Sequence, residues 1–339
     1  MFQGIKNGWE ICRVSFRELF RYPKLLVPLL ITWLCYGCAT LYFSYFFEWN
    51  EVVTDFRLFL IFVIILFCAF LLSLSCSMLL ELIEQQESGK AMSLVEAFLD
   101  TIGLNLFAMI PLAVLWGGVW FILLILEILF SRFKRRKDED QELTAENAAR
   151  TLTGDIGAVS LSSTYFKAMK KGFRMAVFLI LPGIAWENLG FRKAYQRGRL
   201  ILGLHLEQFI SGFLVTEGAA LLIFLPAAMV FFLSGVLEIQ FPEWVRYITI
   251  GYLWAGWSLV IYLEQMFTAE LYLWHMRWER EMLAAEEAGR RLPRLTEIKL
   301  PDLLDQTPDL LKMQMEDFKK KQARIEKAQI EEIRRRLEG

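Results

Sequence analysis

The chain of 339 residues is short of histidine and of charge. It contains two histidines, and charged residues make up 22% of the sequence. His205 and His275 lie 70 positions apart, which excludes a zinc site of the HExxH type. The sequence also lacks a GxxxxGK phosphate loop, a GxSxG elbow and a dinucleotide fingerprint. These shortages argue against a soluble enzyme, and no catalytic residue, metal ligand or cofactor is predicted.

Cysteine is scarce where a disulfide framework would need it. Four of the five cysteines lie in apolar runs and Cys12 lies in an amphipathic segment, so no disulfides are implied. Cys35 and Cys38 have the spacing of a redox pair. Such pairs work at helix N-termini, whereas these lie inside an apolar run and are interpreted as packing residues.

What the chain has in excess is apolar surface. Hydrophobic residues make up 55%, phenylalanine alone counts 28, and the mean hydropathy is +0.38. Charge is concentrated at one end, because residues 279–339 hold 28 charged side chains in 61 positions. The net charge of −1 argues against nucleic-acid binding. The sequence predicts an apolar membrane body followed by a charged soluble tail.

Four segments are long and apolar enough to be firm transmembrane helices. They cover residues 25–47, 58–80, 208–237 and 247–272, against the roughly 20 helical residues that a bilayer core requires. Two further membrane segments, 101–130 and 166–186, either span the membrane or are re-entrant, since each contains a proline and the second has only 12 uncharged residues in a row. The predicted fold class is an all-α integral membrane protein.

Basic residues indicate the orientation of the chain. Groups at 6–24 and 192–199 favour cytoplasmic termini, with the acidic connectors outside. Six simple spans would put residues 132–174, with their ten basic side chains, outside. Re-entrant segments would keep them in the cytoplasm, and the positive-inside rule favours that arrangement. The sequence therefore does not decide between these two topologies, and so not on which side of the membrane the loop lies.

Two basic amphipathic helices flank the first and last pairs of spans. One covers residues 1–24 and the other residues 188–206. Each is expected to lie at the membrane surface, with lateral packing against the bundle as the alternative. Candidate contacts to anionic lipid are Arg13, Arg17, Arg21, Lys24, Arg192, Lys193, Arg197 and Arg199. A further helix should begin at Ser93, where Ser93 and Glu96 form a capping-box pattern.

The predicted organisation places two membrane halves around a polar loop. Residues 25–130 form the first half, 131–165 the loop, 166–278 the second half, and 279–339 a helical cytoplasmic tail. An irregular apolar stripe in the tail suits docking on a partner, although a solvated helix that binds nothing fits equally well. The candidate docking residues are Leu311, Met315, Phe318 and Ile325.

Three glutamates lie within apolar segments. A carboxylate in hydrocarbon costs a few kcal/mol, so it usually faces a partner, a cavity or a pathway. Glu217 and Glu264, with the adjacent Gln265, form the candidate intramembrane polar site, either for a proton or cation or as internally bonded groups. Glu127 is expected to pair locally with the basic run at 132–137.

Three short patterns resemble a loose group of uncharacterised bacterial polytopic membrane proteins. They are Gly8-Trp9-Glu10 with Ser15 and Tyr22-Pro23-Lys24-Leu25-Leu26, then Leu181-Pro182 with Trp186-Glu187-Asn188 and Ala194, then Glu270-Leu271-Tyr272. The group is distantly similar to the membrane domains attached to some glycerophosphoryl diester phosphodiesterases. The resemblance covers about residues 1–275, implies about six membrane segments, and gives no reaction. The 132–165 insertion and the tail depart from the pattern.

These features favour a non-enzymatic membrane subunit over a catalyst. The expected role is to organise, anchor or regulate a partner complex through the tail and the basic surface, in the bacterial inner membrane. Membrane lipids and a protein partner, or self-association, are the expected contacts. The alternative is a small-solute or lipid transporter that uses the intramembrane carboxylate. A lipid-modifying enzyme, which would rely on Glu187, His205 and the basic cluster, is less favoured.

Overall fold

The structure, a computed structural model, describes residues 2–48, 53–87, 90–135, 161–235, 241–294 and 297–298. Every regular element in these ranges is helical. The helices are α1 (Phe2–Arg21), α2 (Val27–Tyr45), α3 (Thr54–Glu87), α4 (Leu94–Asp100), α5 (Leu106–Arg135), α6 (Leu161–Ala185), α7 (Phe191–Leu204), α8 (Leu206–Gly235) and α9 (Glu243–Glu287). A 3-10 turn over Pro23–Leu26 leads into α2, and a π turn over Thr101–Asn105 joins α4 to α5.

Within the described residues, four helices are long and apolar enough to cross a membrane, which makes this an all-α membrane protein. The spans are Pro23–Phe43, Phe56–Gln86, Leu106–Phe130 and Leu206–Ser234. The third of these belongs to a segment that the sequence left undecided. Residues 247–272, predicted as a firm span, are not among the four, because tyrosines, tryptophans and two glutamates lower the hydropathy of α9.

Six long helices form the bundle, and each runs in the opposite direction to the one before it. They are α2, α3, α5, α6, α8 and α9. Asn105 at the start of α5 bonds to Glu81 near the end of α3, and the Phe62 and Phe121 rings meet further along the same two helices, 5.1 Å apart. We call the end where α2, α5 and α8 begin the near end, and the opposite one the far end.

Helix α6 returns along α5 in the opposite direction. The rings of Phe130 and Phe166 lie 5.7 Å apart toward the far end, and those of Trp116 and Phe178 lie 5.7 Å apart closer to the near end. The indole of Trp186 then donates to the carbonyl of Leu80, 3.1 Å away. The two segments that the sequence left open, 101–130 and 166–186, therefore run along the bundle, and neither is re-entrant. Residues 135 and 161, which flank the polar loop, both lie at the far end.

Helix α9 forms the centre of the bundle. Residues 260–276 are buried without interruption, because α1, α2, α6 and α8 all pack around them. Its 45 residues correspond to about 67 Å, so its last turns extend beyond the other helices and are exposed. Close contact with α8 depends on Gly212, where an added Cβ would overlap the ring of Phe267.

Helix α1 packs on the bundle through small and polar residues. Ile11, Cys12, Ser15 and Glu18 are buried against α8 and α9, and the Tyr262 hydroxyl donates to the Ser15 carbonyl at 3.0 Å. Trp9 and Phe20 are exposed. Phe16 is partly buried against the core, so the apolar side chains of α1 are divided between the bundle and the outer surface. The helix is a packed element whose other face can still meet lipid.

Two local predictions have clear outcomes. The hydroxyl of Ser93 accepts a hydrogen bond from the Glu96 amide at 3.3 Å, so Ser93 caps α4. The polar loop is shorter than predicted, since α5 continues to Arg135 and α6 begins at Leu161. Pro111, Pro182 and Pro226 lie inside α5, α6 and α8 without ending them.

Candidate functional site

Four charged side chains meet between α6, α8 and α9. We call Lys171, Arg174, Glu217 and Glu264 the ion-pair cluster. The Arg174 guanidinium donates two hydrogen bonds of 2.7 Å to the two oxygens of Glu264. Lys171 Nζ lies 2.6 Å from Glu217 Oε2 and 3.8 Å from Glu264 Oε1. The lysine is therefore shared between two carboxylates on different helices.

The two cations reach this point because of their spacing on α6. Residues three apart lie on one helix face, so Lys171 and Arg174 both project toward α8 and α9. Lys171 also donates to the Phe213 carbonyl at 3.3 Å and lies 4.8 Å from the Phe213 ring centre. Lys170 projects toward α5 instead and pairs with Glu127. Glu127 thus has a partner on α6, while the side chains of the run at 132–137, where the sequence predicts its partner, lie outside those that the structure describes.

Burial is uneven across the ion-pair cluster. The side chain of Glu264 is 0% exposed, that of Lys171 8% and that of Arg174 13%, whereas that of Glu217 is 51% exposed. The bidentate Arg174–Glu264 pair is the arrangement that makes a desolvated ion pair tolerable. Glu217 is the cluster member that approaching molecules can reach.

The sequence placed Glu217, Glu264 and Gln265 in one polar site, and the structure brings the first two together. Gln265 points elsewhere, because adjacent helical residues diverge by about 100°. Its buried amide nitrogen and oxygen have no hydrogen-bond partner among the described residues. The partners that the sequence analysis missed are Lys171 and Arg174. Their spacing of three in a largely apolar segment was the available signal, but it was interpreted only as a topology marker.

A second group of polar side chains lies at the near end. We call Glu187, Arg197, His205, Tyr272, His275 and Glu279 the near-end cluster. Tyr272 donates to Glu187 at 2.6 Å, and Arg197 donates two bonds of 2.6 Å to Glu279. His205 Nε2 and His275 Nδ1 are 2.8 Å apart, and His275 Nε2 lies 3.3 Å from Glu279. The group joins α9 to both ends of α7.

The electrostatics of the near-end cluster follow from burial and pairing. Burial, reinforced by the neighbouring His275, lowers the pKa of His205 to about 4. Burial alone would raise the pKa of Glu279, but hydrogen bonds from His275 and Arg197 outweigh it and lower the pKa to about 2. Burial raises the pKa of Glu187 despite the nearby Arg197. At neutral pH, Arg197 and Glu279 are charged and His205 is neutral.

Both residues that the enzyme alternative relies on lie in the near-end cluster. Glu187 and His205 are buried, and each is bonded to a neighbouring side chain, Tyr272 for the first and His275 for the second. Within the described ranges, no group of three or more His, Cys, Asp or Glu side chains could hold a metal ion. The hydrogen bonds of the near-end cluster tie α9 to α7 and to the residues on either side of it.

A buried polar contact near the end of α3 was not anticipated. The Asn105 amide donates to Glu81 at 3.0 Å, and both residues are buried. Asn105 ends the π turn, a feature that often marks functional positions. The predicted span stopped at Leu80, and no local pattern in the sequence connects these two residues, which are 24 positions apart.

Most of the candidate lipid contacts are exposed, as a surface role requires. Arg13, Arg17, Arg21 and Lys24 are exposed on and just after α1, and Arg192, Lys193 and Arg199 are exposed on α7. Arg197 is the exception, because its guanidinium is bonded to Glu279. The predicted docking residues Leu311, Met315, Phe318 and Ile325 lie outside the described residues.

The chain after α9 folds back along that helix. Gly289 has a φ of +62°, a left-handed conformation that glycine adopts without steric cost at a helix C-terminus. The indole of Trp278 then donates to the Pro293 carbonyl at 2.9 Å, and that of Trp274 to the Ile298 carbonyl at 3.1 Å. Ile298 packs on the core, so the chain returns to the near end of the bundle.

Comparison with known proteins found no match to this chain among family models, curated proteins or solved structures.

Proposed function

We propose that this protein is a non-enzymatic polytopic membrane subunit that organises, anchors or regulates a partner complex. It would lie in a bacterial inner membrane with both termini in the cytoplasm. The path of α9 and of the chain that follows it is the observation behind this proposal. The helix leaves the centre of the bundle, and two indole N–H groups fasten the next segment back beside Trp274. Residues 299–339 therefore begin from a fixed position.

The near end supplies the surface around that position. Exposed basic side chains at the end of α1, in the turn after it and on α7 lie at this end of the bundle, which suits anionic lipid headgroups of a cytoplasmic leaflet. By the positive-inside rule this end would face the cytoplasm. A partner bound to the tail would then be held against the membrane surface.

In this orientation the polar loop faces the outside, against the sequence-based preference for the cytoplasm. The charge count overstated that preference. Of the ten basic residues between 132 and 174, Lys170, Lys171 and Arg174 are paired with glutamates inside the bundle. Paired charges within the bundle do not act as free loop charges, so the positive-inside argument for this loop loses three of its ten residues.

Deletion of residues 299–339 tests the proposal. The protein would be extracted with its native lipids and measured by intact-complex mass spectrometry. We expect a stoichiometric protein partner that is lost on deletion, while the bundle stays folded by gel filtration and thermal unfolding. A matched variant with serine at Leu311, Met315, Phe318 and Ile325 keeps the tail length and charge, and it should lose the same partner. Retention of every partner after deletion would refute the tail-based role.

A transporter is the second candidate, because Lys171 lies between two carboxylates. A proton or cation on Glu217 would release the lysine toward Glu264, and such an exchange is a plausible coupling step in a membrane carrier. With purified protein in vesicles, Glu217→Gln should then abolish proton-coupled flux of a solute, while Glu127→Gln, which removes another intramembrane carboxylate, should not. Equal flux in both variants would exclude Glu217 as the coupling residue.

A further inference from the structure

Glu217 differs in exposure from the other carboxylate within the four spans. Leaving aside the first and last turns of each span, the described carboxylates are that of Glu81, which is buried, and that of Glu217, whose side chain is 51% exposed. It is the twelfth residue of the 29-residue span Leu206–Ser234. The rise of 1.5 Å per residue places it about 16 Å from the start of the span. It therefore lies near the middle of the hydrocarbon.

The surface around Glu217 is an apolar stripe with a gap. Leu214, Gly218, Leu221 and Leu225 are all exposed, at spacings of four, three and four along α8, which places them on one face. A Cβ added to Gly218 would meet nothing within 4 Å. A partner backbone could approach closely at this point, as small residues permit in membrane helix packing.

Only one of the two oxygens of Glu217 has a hydrogen-bond donor among the described residues. Among the described residues, Lys171 is the hydrogen-bond donor that reaches Glu217, and it binds Oε2 from within the bundle. The outward half of the carboxylate would face lipid tails, which offer no donor. Exposing a carboxylate to hydrocarbon is costly, and a donor arriving from outside would remove much of that cost.

We propose that the stripe around Glu217 and Gly218 docks a transmembrane helix of another protein, which places a hydrogen-bond-donating side chain against Glu217. Lysine, arginine, a hydroxyl or an amide would serve. A helix fits better than a lipid headgroup, because headgroups lie about 15 Å from the bilayer centre and the stripe is elongated along α8. This inference rests on the proposed function and names the kind of partner that the subunit holds.

Photo-crosslinking in native membranes tests the contact. p-Benzoylphenylalanine would replace Leu221, whose residue is 67% exposed, and in a control protein Ile122 on α5, which is 57% exposed. We expect a protein adduct at position 221 and none at 122. The crosslinked peptide should be an apolar helix of another protein with a donor within one turn of the crosslink. Glu217→Gln leaves one acceptor oxygen, which Lys171 takes from within the bundle, so it should lower the yield about tenfold. Replacing that donor with leucine should do the same, since one interhelical hydrogen bond is worth about a factor of ten in binding.

Gly218→Leu supplies a variant that keeps the Lys171–Glu217 pair. It fills the gap, so the adduct should be lost while the gel-filtration profile stays unchanged. The proposal is overturned by an adduct with a second copy of this chain, by an adduct of lipid or small-molecule mass, by no adduct, or by a yield that neither substitution changes. Repeating the experiment without residues 299–339 separates the two proposals. If the deletion loses no partner and the adduct still forms, only the tail-based role is refuted.

Discussion

Replacing Glu264 with glutamine should destabilise the bundle more than the same change at Glu127, which lies outside the ion-pair cluster. Glu264 is fully buried and accepts two hydrogen bonds of 2.7 Å from Arg174. Glutamine keeps the volume and one acceptor but removes the charge. Arg174 then stays in the interior with a neutral neighbour and loses one of its two acceptors.

The magnitude follows from the burial. Removing one member of a buried ion pair costs about 3–5 kcal/mol, because the remaining charge stays desolvated without compensation. The retained amide oxygen reduces the loss, so we expect about 3 kcal/mol for Glu264→Gln. Glu127→Gln breaks the Lys170–Glu127 pair, in which both side chains are 20% exposed. Partly exposed pairs contribute about 1 kcal/mol or less, which makes this the matched control.

The assay is unfolding in mixed micelles with increasing sodium dodecyl sulfate, followed by tryptophan fluorescence from the 11 tryptophans. A double-mutant cycle of Arg174→Gln with Glu264→Gln isolates the pair energy, and the coupling should be about 2 kcal/mol or more. A loss below about 1 kcal/mol for Glu264→Gln, or a coupling no larger than that of Lys170 with Glu127, would refute the argument that this pair is desolvated.

Two further predictions concern the near end and the α8–α9 contact. The pKa of His205 is lowered to about 4 in the fold against about 6.5 unfolded, so the unfolded chain binds a proton that the fold does not. The free energy of unfolding should therefore fall by up to about 3 kcal/mol as the pH drops from 6.5 to 4. In thermal unfolding, the stability of His205→Gln should change less with pH over this range. The same pH dependence in both proteins would contradict the lowered pKa of His205. Gly212→Ala puts a methyl group into the Phe267 ring and should lower the free energy of unfolding by about 1–3 kcal/mol in the same assay. Gly251→Ala is the control, because a Cβ there meets nothing within 4 Å, and it should not lower the stability. Equal stability of both variants would show that α8 and α9 can separate at no cost.

Fold class and most helix positions could be predicted because they depend on local composition. An uncharged run of 23 residues, such as 58–80, satisfies the length of a bilayer core by itself. Ser93 could be identified as a cap because the interaction spans only three residues. The sequence left residues 101–130 undecided because of Pro111, which lies inside α5 without ending it. Residues 247–272 fall below the hydropathy of the four spans, yet they belong to the central helix α9.

The candidate site was only half predictable. Glu217 and Glu264 stand out as carboxylates in apolar sequence, and the cost of isolating a charge in hydrocarbon predicts that each has a partner. The partner's identity is a long-range fact. Lys171 lies 46 residues from Glu217, and Arg174 lies 90 residues from Glu264. Local spacing contains no information about which helix faces which.

The sequence by itself determined that this is a helical membrane protein with a charged tail, because hydropathy and charge act residue by residue on the cost of burial in lipid. Only the tertiary structure decided that α5 and α6 run along the whole bundle, that α1 packs instead of floating at the surface, and that Lys171 is shared by two glutamates. Those outcomes depend on which surfaces of separate helices fit together, and packing is a property of pairs of helices.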